Sequence, residues 1–575
     1  MDVMNRFWVK TCANAVRRVG TIARGVADIR GVRTLCVFLF FAAFFSLTYL
    51  TVDRVVSLDD PLFHIRFAET VRERGLSTFR DFDGLPFSEI GKSYLIYYNF
   101  LFYAALIPFT FFHPLIMGIK VYGVLSAAAT LTVSYLFLRT FSVPKPFFWV
   151  LGLASAISSF DLVRFIMARP FSLAPALLML IILAGYRKRY ALLASLSVAY
   201  FLWHTATFFF PIFCIVILSA FGGLYGRKVD LKLLLSTIFG TALGFVIVSL
   251  IAPGFPTYMR EIIFGVFADT IVGKKVAIAE GGELYPVKIF DYLFMNMVLF
   301  GGFLIGISLE ISRYVGMRRE RSLTVQPDRQ VVEGALFAIS LSFFLFSLIS
   351  RRNLDFFVIA VMAYIPMGLV HFSEGIRALG PISKRALVAG VAIFVVYLVS
   401  ATGLTINDRI ASMQPYDFLE RPSEWLKNNV KSGEIVFNTT WNWFPSLYLY
   451  NPGNRYIAGI EPRFLYNYDP EKYWEWWHIS GGGYVCRSEQ CDQMESRQQA
   501  VVASDDEEVK KTWAKERENE VADAILNDFS SSYIVTSDDF SALTIVLEKG
   551  GRFEEVYRDP INRRMKIYRV RERSD

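Results

Sequence analysis

Two adjacent carboxylates, a histidine and an arginine follow directly on the first long apolar run of the chain, in Ser57–Glu69, SLDDPLFHIRFAE. Asp59 and Asp60 supply hard oxygen ligands of the kind that hold Mg2+ or Mn2+. Asp60 equally has the chemistry of a general base that takes a proton from an acceptor hydroxyl or amine. Pro61 disfavours helical backbone at Asp60 and is itself a good first helical residue, so Asp60 reads as the cap of a helix running from about Pro61 to Gly75. His64 lies one turn further on, where it can share the rim of a site with Asp60.

Four other stretches carry chemistry. Arg169 precedes Pro170 in Ser158–Pro175, SSFDLVRFIMARPFSLAP, which also holds Asp161 and Arg164. His204, in FLWHTATFFF, is a polar ring in an apolar setting, suited to a phosphate contact or to packing at an interface. Arg351 and Arg352, in SRRNLDFF, offer planar guanidinium groups that match phosphate, with Asp355 close by as a pairing partner. Trp441, Asn442 and Trp443 offer ring faces for a sugar or for packing, as does WEWWHISGGG at Trp474–Gly483.

These residues must be positioned by membrane helices. Of the 575 residues, 54% are hydrophobic and only 19% charged, and the mean hydropathy is positive, which excludes an ordinary soluble protein. The net charge of +8 comes from short Lys/Arg patches between apolar runs. That is the pattern of cytosolic loops rather than of a nucleic-acid surface. Apolar runs at 36–52, 117–138, 146–163, 170–186, 190–204, 205–222, 233–252, 292–312, 331–350, 354–372 and 386–404 give about eleven crossings. With the N-terminus and the basic loops at 186–189, 226–228, 313–329 and 377–385 inside, that parity requires 94–113 to lie in the first outer loop without crossing.

The same parity puts Asp59, Asp60, Arg169, His204, the loop 253–291, Arg351, Arg352 and everything after about residue 405 on the outer side. Residues 1–404 then form a multi-pass membrane domain with large outer loops at 53–116 and 253–291, and 405–575 an extracytoplasmic α/β domain. Strands are expected at 433–437, 531–536, 543–547 and 565–570, with helices near 421–431 and 505–528. Cys486 and Cys491, in VCRSEQC, suit a disulfide in an oxidising compartment, whereas Cys12, Cys36 and Cys214 read as lone thiols.

The acidic residue, Pro, two bulky residues, His, one residue and Arg of Asp60–Arg66 resemble the first outer loop of oligosaccharyltransferase catalytic subunits and their relatives among membrane glycosyltransferases of the C-type fold. The resemblance implies that Asp60 binds the catalytic metal and the acceptor. AIAE, Ala277–Glu280, is similar to the family's outer-loop motif and implies an acceptor and metal contact for Glu280. SRRNLDFF resembles the segment whose Arg grips the carrier-lipid phosphate, which falls on Arg352. Two departures stand out. The family's acidic pair falls on Phe171 and Leu173, and its WWDYG motif becomes Thr440–Phe444, TWNWF, with Asn442 at the acidic position.

The expectation is therefore a polytopic α-helical membrane protein of about 11–13 helices in the C-type glycosyltransferase fold, multi-pass in the cell membrane. It would transfer a sugar or oligosaccharide from a polyprenyl phosphate or pyrophosphate to an extracytoplasmic acceptor. Oligosaccharyl transfer to protein is the first variant. Monosaccharide transfer to a glycan, lipid or protein hydroxyl is the second, and a transporter of lipid-linked glycans is the alternative from another class. A transporter would carry interrupted helices and charge at mid-depth.

Overall fold

The computed structural model describes residues 30–52, 54–55, 60–88, 99–261, 288–319, 327–369, 381–413 and 415–572. Asp59, Glu280 and most of the loop 253–291 lie outside them, as do parts of the two later basic loops. The membrane part opens with α1 (Arg30–Phe45, prolonged by a π turn at Ser46–Leu50), α2 (Asp60–Arg74), α3 (Phe100–Leu106), α4 (Leu115–Thr140), α5 (Pro146–Ala156) and α6 (Ser159–Phe165). It continues with α7 (Ala174–Tyr186), α8 (Tyr190–Trp203), α9 (Phe210–Leu224), α10 (Leu231–Ile251), α11 (Phe255–Glu261), α12 (Ile289–Met295), α13 (Met297–Arg319), α14 (Pro327–Ser347), α15 (Leu354–Leu369) and α16 (Pro381–Ala411).

Among the described residues six helices are long and apolar enough to cross a membrane, and five shorter apolar ones accompany them. Two expected runs are each broken once. The run 146–163 stops at Ile157 and restarts after Ser158, which caps α6, and the run 292–312 breaks at Asn296. The breaks meet: the Ser158 N–H donates to Asn296 Oδ1 at 2.9 Å, so the backbone donor freed by one interruption is satisfied at the other. The helical stretch Phe100–Phe111 spans only about 18 Å at 1.5 Å per residue, short of a bilayer's hydrocarbon.

Close backbone approach sets the packing. Cβ atoms added at Gly240 and Gly244 of α10 would strike Ala194 and Phe201 of α8, the four-residue spacing of small residues that lets membrane helices touch.

Beyond α16 come α17 (Glu420–Asn429), β1 (Ile435–Asn438), α18 (Phe444–Tyr450), β2 (Arg455–Tyr456), α19 (Pro462–Tyr468), α20 (Pro470–Gly482), α21 (Asp492–Ala503), α22 (Glu507–Asp523), β3 (Ser531–Ser537), α23 (Ser541–Lys549), β4 (Phe553–Arg558) and β5 (Met565–Val570). The sheet order is β2-β1-β3-β5-β4, with β1 parallel to both β2 and β3, and β5 antiparallel to its two neighbours. Alternate residues face opposite layers, as strand geometry requires. Val436, Val535, Met565 and Ile567 join the core that extends from the membrane helices, while Ile435, Phe437, Ile534 and Tyr568 face a second core with Trp476 and Trp513.

Two expectations are corrected here. Residues 543–547 are not a strand but part of α23: Leu543, Val546 and Leu547 are buried together with Ala542 and Thr544, a helical spacing that the β-branched composition disguised. WEWWHISGGG is a packed helix rather than an open sugar platform, with Trp477 alone among its tryptophans exposed, at 39%. It is α20, with Trp474 and Trp476 buried and Trp476 Nε1 donating to Asn438 O at 2.9 Å. Cys486 and Cys491 are joined as a disulfide.

Candidate active site

Asp60 opens α2, and its carboxylate is ion-paired with the Arg169 guanidinium; both side chains are 13% exposed. α2 is held from both ends of the chain. Arg66 pairs with Glu69 and donates through Nε to Leu449 O of α18 at 2.7 Å. Phe63 packs on Phe444 and Tyr448. Arg72 donates to Thr110 Oγ1 at 2.9 Å and lies over the Phe111 ring.

The loop that carries Arg169 is fixed by side chains from two other helices. Ser126 and Thr130 of α4 donate to Phe165 O and Ser172 O at 3.1 and 2.9 Å, and Trp203 Nε1 of α8 donates to Pro170 O at 2.7 Å. A Cβ at Gly123 would run into the Ile166 carbonyl, so α4 can approach this loop only as glycine there. Phe171 sits where the resemblance places a carboxylate, and its ring lies under both Arg164 and Arg169, 4.5 and 4.8 Å from their guanidinium carbons. Such stacking is favourable for arginine.

Arg164 makes a two-pronged bond to Asp355 on α15, at 2.8 and 2.9 Å, with both groups buried. Asp355 was expected to pair with Arg352; it pairs instead with Arg164, whose fork matches its carboxylate. Asp161 does not neutralise Arg164 by a salt bridge either. It accepts hydrogen bonds from Ser158 Oγ and Asn296 Nδ2, at 2.7 and 2.8 Å.

His204 caps α8, with Nδ1 2.7 Å from Thr207 Oγ1 and its ring edge-on to Phe356 of α15. The charges that bear on its ring are those of Arg352 and Arg169. Arg351 and Arg352 form a short 3-10 turn ahead of α15, with Arg352 exposed. Asp60, Arg169, His204 and Arg352 therefore gather at one end of the helical bundle. His64 does not join them on a rim. It is buried, its Nδ1 lies 2.9 Å from the Tyr103 hydroxyl, and Phe102 and Tyr103 enclose the ring. Burial, and then the Arg169 charge, holds its imidazole well below the usual range.

The turn at Trp441–Trp443 is occupied by packing. Trp443 lies against Phe418 and Phe540, Trp441 packs on the second core of the sheet, and Asn442 Oδ1 accepts from Thr440 Oγ1 at 2.7 Å. The features least visible in the sequence are the Arg164–Asp355 pair and the aromatic floor at Phe171. The one local signal for them was the spacing of Arg164, Arg169 and Phe171 in a single loop.

No protein-family model matches the sequence, and no curated protein matches it. Solved structures do. ArnT from Cupriavidus metallidurans in the apo state superposes with a TM-score of 0.50 at 12% identity, over 94% of this chain and 98% of that one. ArnT from the same organism bound to undecaprenyl phosphate superposes with a TM-score of 0.51 at 12% identity, over 93% and 97%. The fold is the C-type glycosyltransferase fold. It is a multi-pass membrane architecture with a small sheet-bearing region near the C-terminus, and at this identity the likeness is one of fold. In this C-type fold Asp60, Arg169, His204 and Arg352 occupy loops and helix ends, and α6 of the interrupted pair α5–α6 reaches Arg169 through Arg164 and the shared Phe171 ring.

Proposed function

We propose that this protein is a membrane glycosyltransferase that transfers a sugar from a polyprenyl-phosphate carrier to an acceptor outside the cytosol, with its N-terminus cytoplasmic and the sheet-bearing region extracytoplasmic. The observation that carries the reading is the Asp60–Arg169 ion pair at the bundle end that also holds His204 and Arg352. A carboxylate next to several cations suits displacement at an anomeric carbon. The acceptor oxygen forms a bond to C1, the C1–O bond to the carrier phosphate breaks, and the phosphate leaves with the electron pair. Asp60 takes the acceptor's proton, Arg169 orients Asp60, and Arg352 with Arg351 receives the charge that develops on the phosphate. The complex of ArnT with undecaprenyl phosphate supports a polyprenyl carrier as the donor class.

Within this reading, transfer of a monosaccharide to a hydroxyl is favoured over oligosaccharyl transfer to protein. The described residues fit Mg2+ or Mn2+ poorly: Asp60 is engaged by Arg169, the family's acidic pair is Phe171 and Leu173, Asp355 is held by Arg164, and Asp161 leaves only one oxygen, Oδ1, without a hydrogen bond. A divalent ion wants several hard oxygens around it, so no step is routed through a metal. The packed Trp441–Trp443 turn likewise leaves sequon recognition without support.

The test is transfer from labelled polyprenyl-linked sugars of a membrane extract by purified protein, with and without EDTA. Asp60→Asn is expected to lower kcat by about 10²–10⁴-fold, and EDTA to leave the wild type unchanged. Wild-type turnover by Asp60→Asn would remove the general base. Loss of turnover in EDTA would restore the metal reading through Asp60 and Glu280. Movement of labelled donor across vesicle membranes without transfer would favour the transporter, for which the two interrupted helices are the supporting observation.

A further inference from the structure

A second polar site lies at the far end of the bundle and has no part in the proposed reaction. Helices α7 and α8 both span the distance between the Arg169–His204 end and this opposite end, about 20 Å at 1.5 Å per residue. There the α7–α8 turn meets the α9–α10 turn. The Tyr190 hydroxyl donates to Asp230 Oδ2 at 2.8 Å, and Lys188 Nζ lies 3.4 Å from the same carboxylate. Between the turns is a cavity of about 620 Å3 lined by Tyr186, Arg187, Lys188, Arg227 and Lys228. Four cationic side chains thus line one cavity, Lys188 against the Asp230 carboxylate and Arg187 donating to Thr140 Oγ1 at 3.3 Å, in turns built tightly enough to need positive φ at Lys188 and Gly226.

Apolar residues flank this basic cavity. Leu224 is 76% exposed, Val229 66%, Leu231 58% and Leu192 45%, all at the same helix ends. A site for a soluble anion has no use for leucines around it. A phosphate carried on acyl chains does, because the head group meets the cations while the chains cover the apolar flank.

We propose that this cavity seats the phosphate of an anionic phospholipid in the leaflet opposite the Asp60–Arg169 site. Guanidinium and ammonium groups from two separate turns then close on one phosphodiester, which ties the α7–α8 and α9–α10 hairpins together at their tips.

The experiment is native mass spectrometry and thermal melting of the full-length protein in detergent, titrated with phosphatidylglycerol, phosphatidylcholine or inorganic phosphate. The wild type is expected to retain phosphatidylglycerol about tenfold better than phosphatidylcholine. That preference is expected to vanish in Arg187→Gln/Lys188→Gln/Arg227→Gln/Lys228→Gln and to persist in Arg187→Lys/Arg227→Lys. If the quadruple variant does not fold, Arg187→Gln and Lys228→Gln, both at exposed positions, carry the comparison singly, each expected to weaken retention. Equal retention of the two lipids by the wild type, or undiminished phosphatidylglycerol retention by the variants, overturns the proposal. So does stabilisation by inorganic phosphate without lipid retention, which would make the cavity a soluble-anion site. None of these readouts depends on sugar transfer.

Discussion

The two arginines stacked on Phe171 do different work, and substitution separates them. Arg169 reaches Asp60, whereas Arg164 is locked to Asp355 with both charges out of solvent. Removing one member of a buried pair strands the other, at a cost of about 3–5 kcal/mol. Arg164→Gln is therefore expected to lower the melting temperature sharply, and Arg164→Gln/Asp355→Asn to recover part of the loss. A double variant as unstable as the single one would show that the stranded charge is not the source. His64, on α2 outside the membrane spans, makes the fold sensitive to pH. Its imidazole is depressed by burial first, so the folded protein binds fewer protons than the unfolded chain once the pH drops below about 6.5. Its contribution is fully present above that pH and is lost as the pH falls through the folded value. The melting temperature of the wild type is expected to fall across this window more steeply than that of His64→Gln, measured under identical detergent conditions; parallel curves would assign the pH dependence elsewhere.

Element contacts decide where Arg169 stands. The loop from Phe165 to Ser172 is pinned by Ser126, Thr130 and Trp203, and α4 passes it so closely that only glycine fits at position 123. Gly123→Ala forces either α4 or the loop to shift, at a cost of about 1–3 kcal/mol as in other overpacked sites. The expected outcome is a folded protein whose helical circular dichroism is unchanged but whose turnover falls at least tenfold, because a misplacement near 1 Å is costly to catalysis. Undiminished turnover would mean that the loop position does not limit the chemistry. Gly222→Ala, where an added methyl meets nothing, is the matched control.

The whole molecule is joined through α2. The core that begins at Val37 and Phe41 in α1 includes Phe63, Phe444, Leu447, Val436 and Ile567, so it passes from the membrane helices into one face of the sheet. From the other side, Phe87 packs on Phe529, and Tyr456 N donates to Gly84 O at 3.0 Å. Truncating Phe63 leaves a cavity at this junction, with a loss of about 3–5 kcal/mol. Seven of the ten tryptophans lie beyond residue 415, so their fluorescence reports the sheet-bearing region. Phe63→Ala is expected to lower the melting temperature seen by tryptophan fluorescence although the substituted residue lies in α2. An unchanged fluorescence transition would show that the two parts melt independently.

The sequence by itself determined what is local or imposed by the solvent. A bilayer demands apolar runs of fixed length, and the runs are visible in the composition. Asp60–Pro61 starts α2 because the constraint acts between neighbouring residues; the helix ends at Arg74, followed by Gly75 with φ +75°. Strands β1, β3 and β5 were legible from their apolar residues, whereas α23 was misread because its β-branched residues match a strand as well as a buried helix. Only the tertiary structure decided the partners. Arg164 and Asp355 are 191 residues apart, and nothing in local spacing distinguishes Arg164 from Arg352 as the mate of Asp355. The same holds for His64, which is polar beside a candidate site yet turned inward because Phe102 and Tyr103 close over it. Polar side chains in an apolar medium take whichever partner the packing brings within reach, and that choice belongs to the fold.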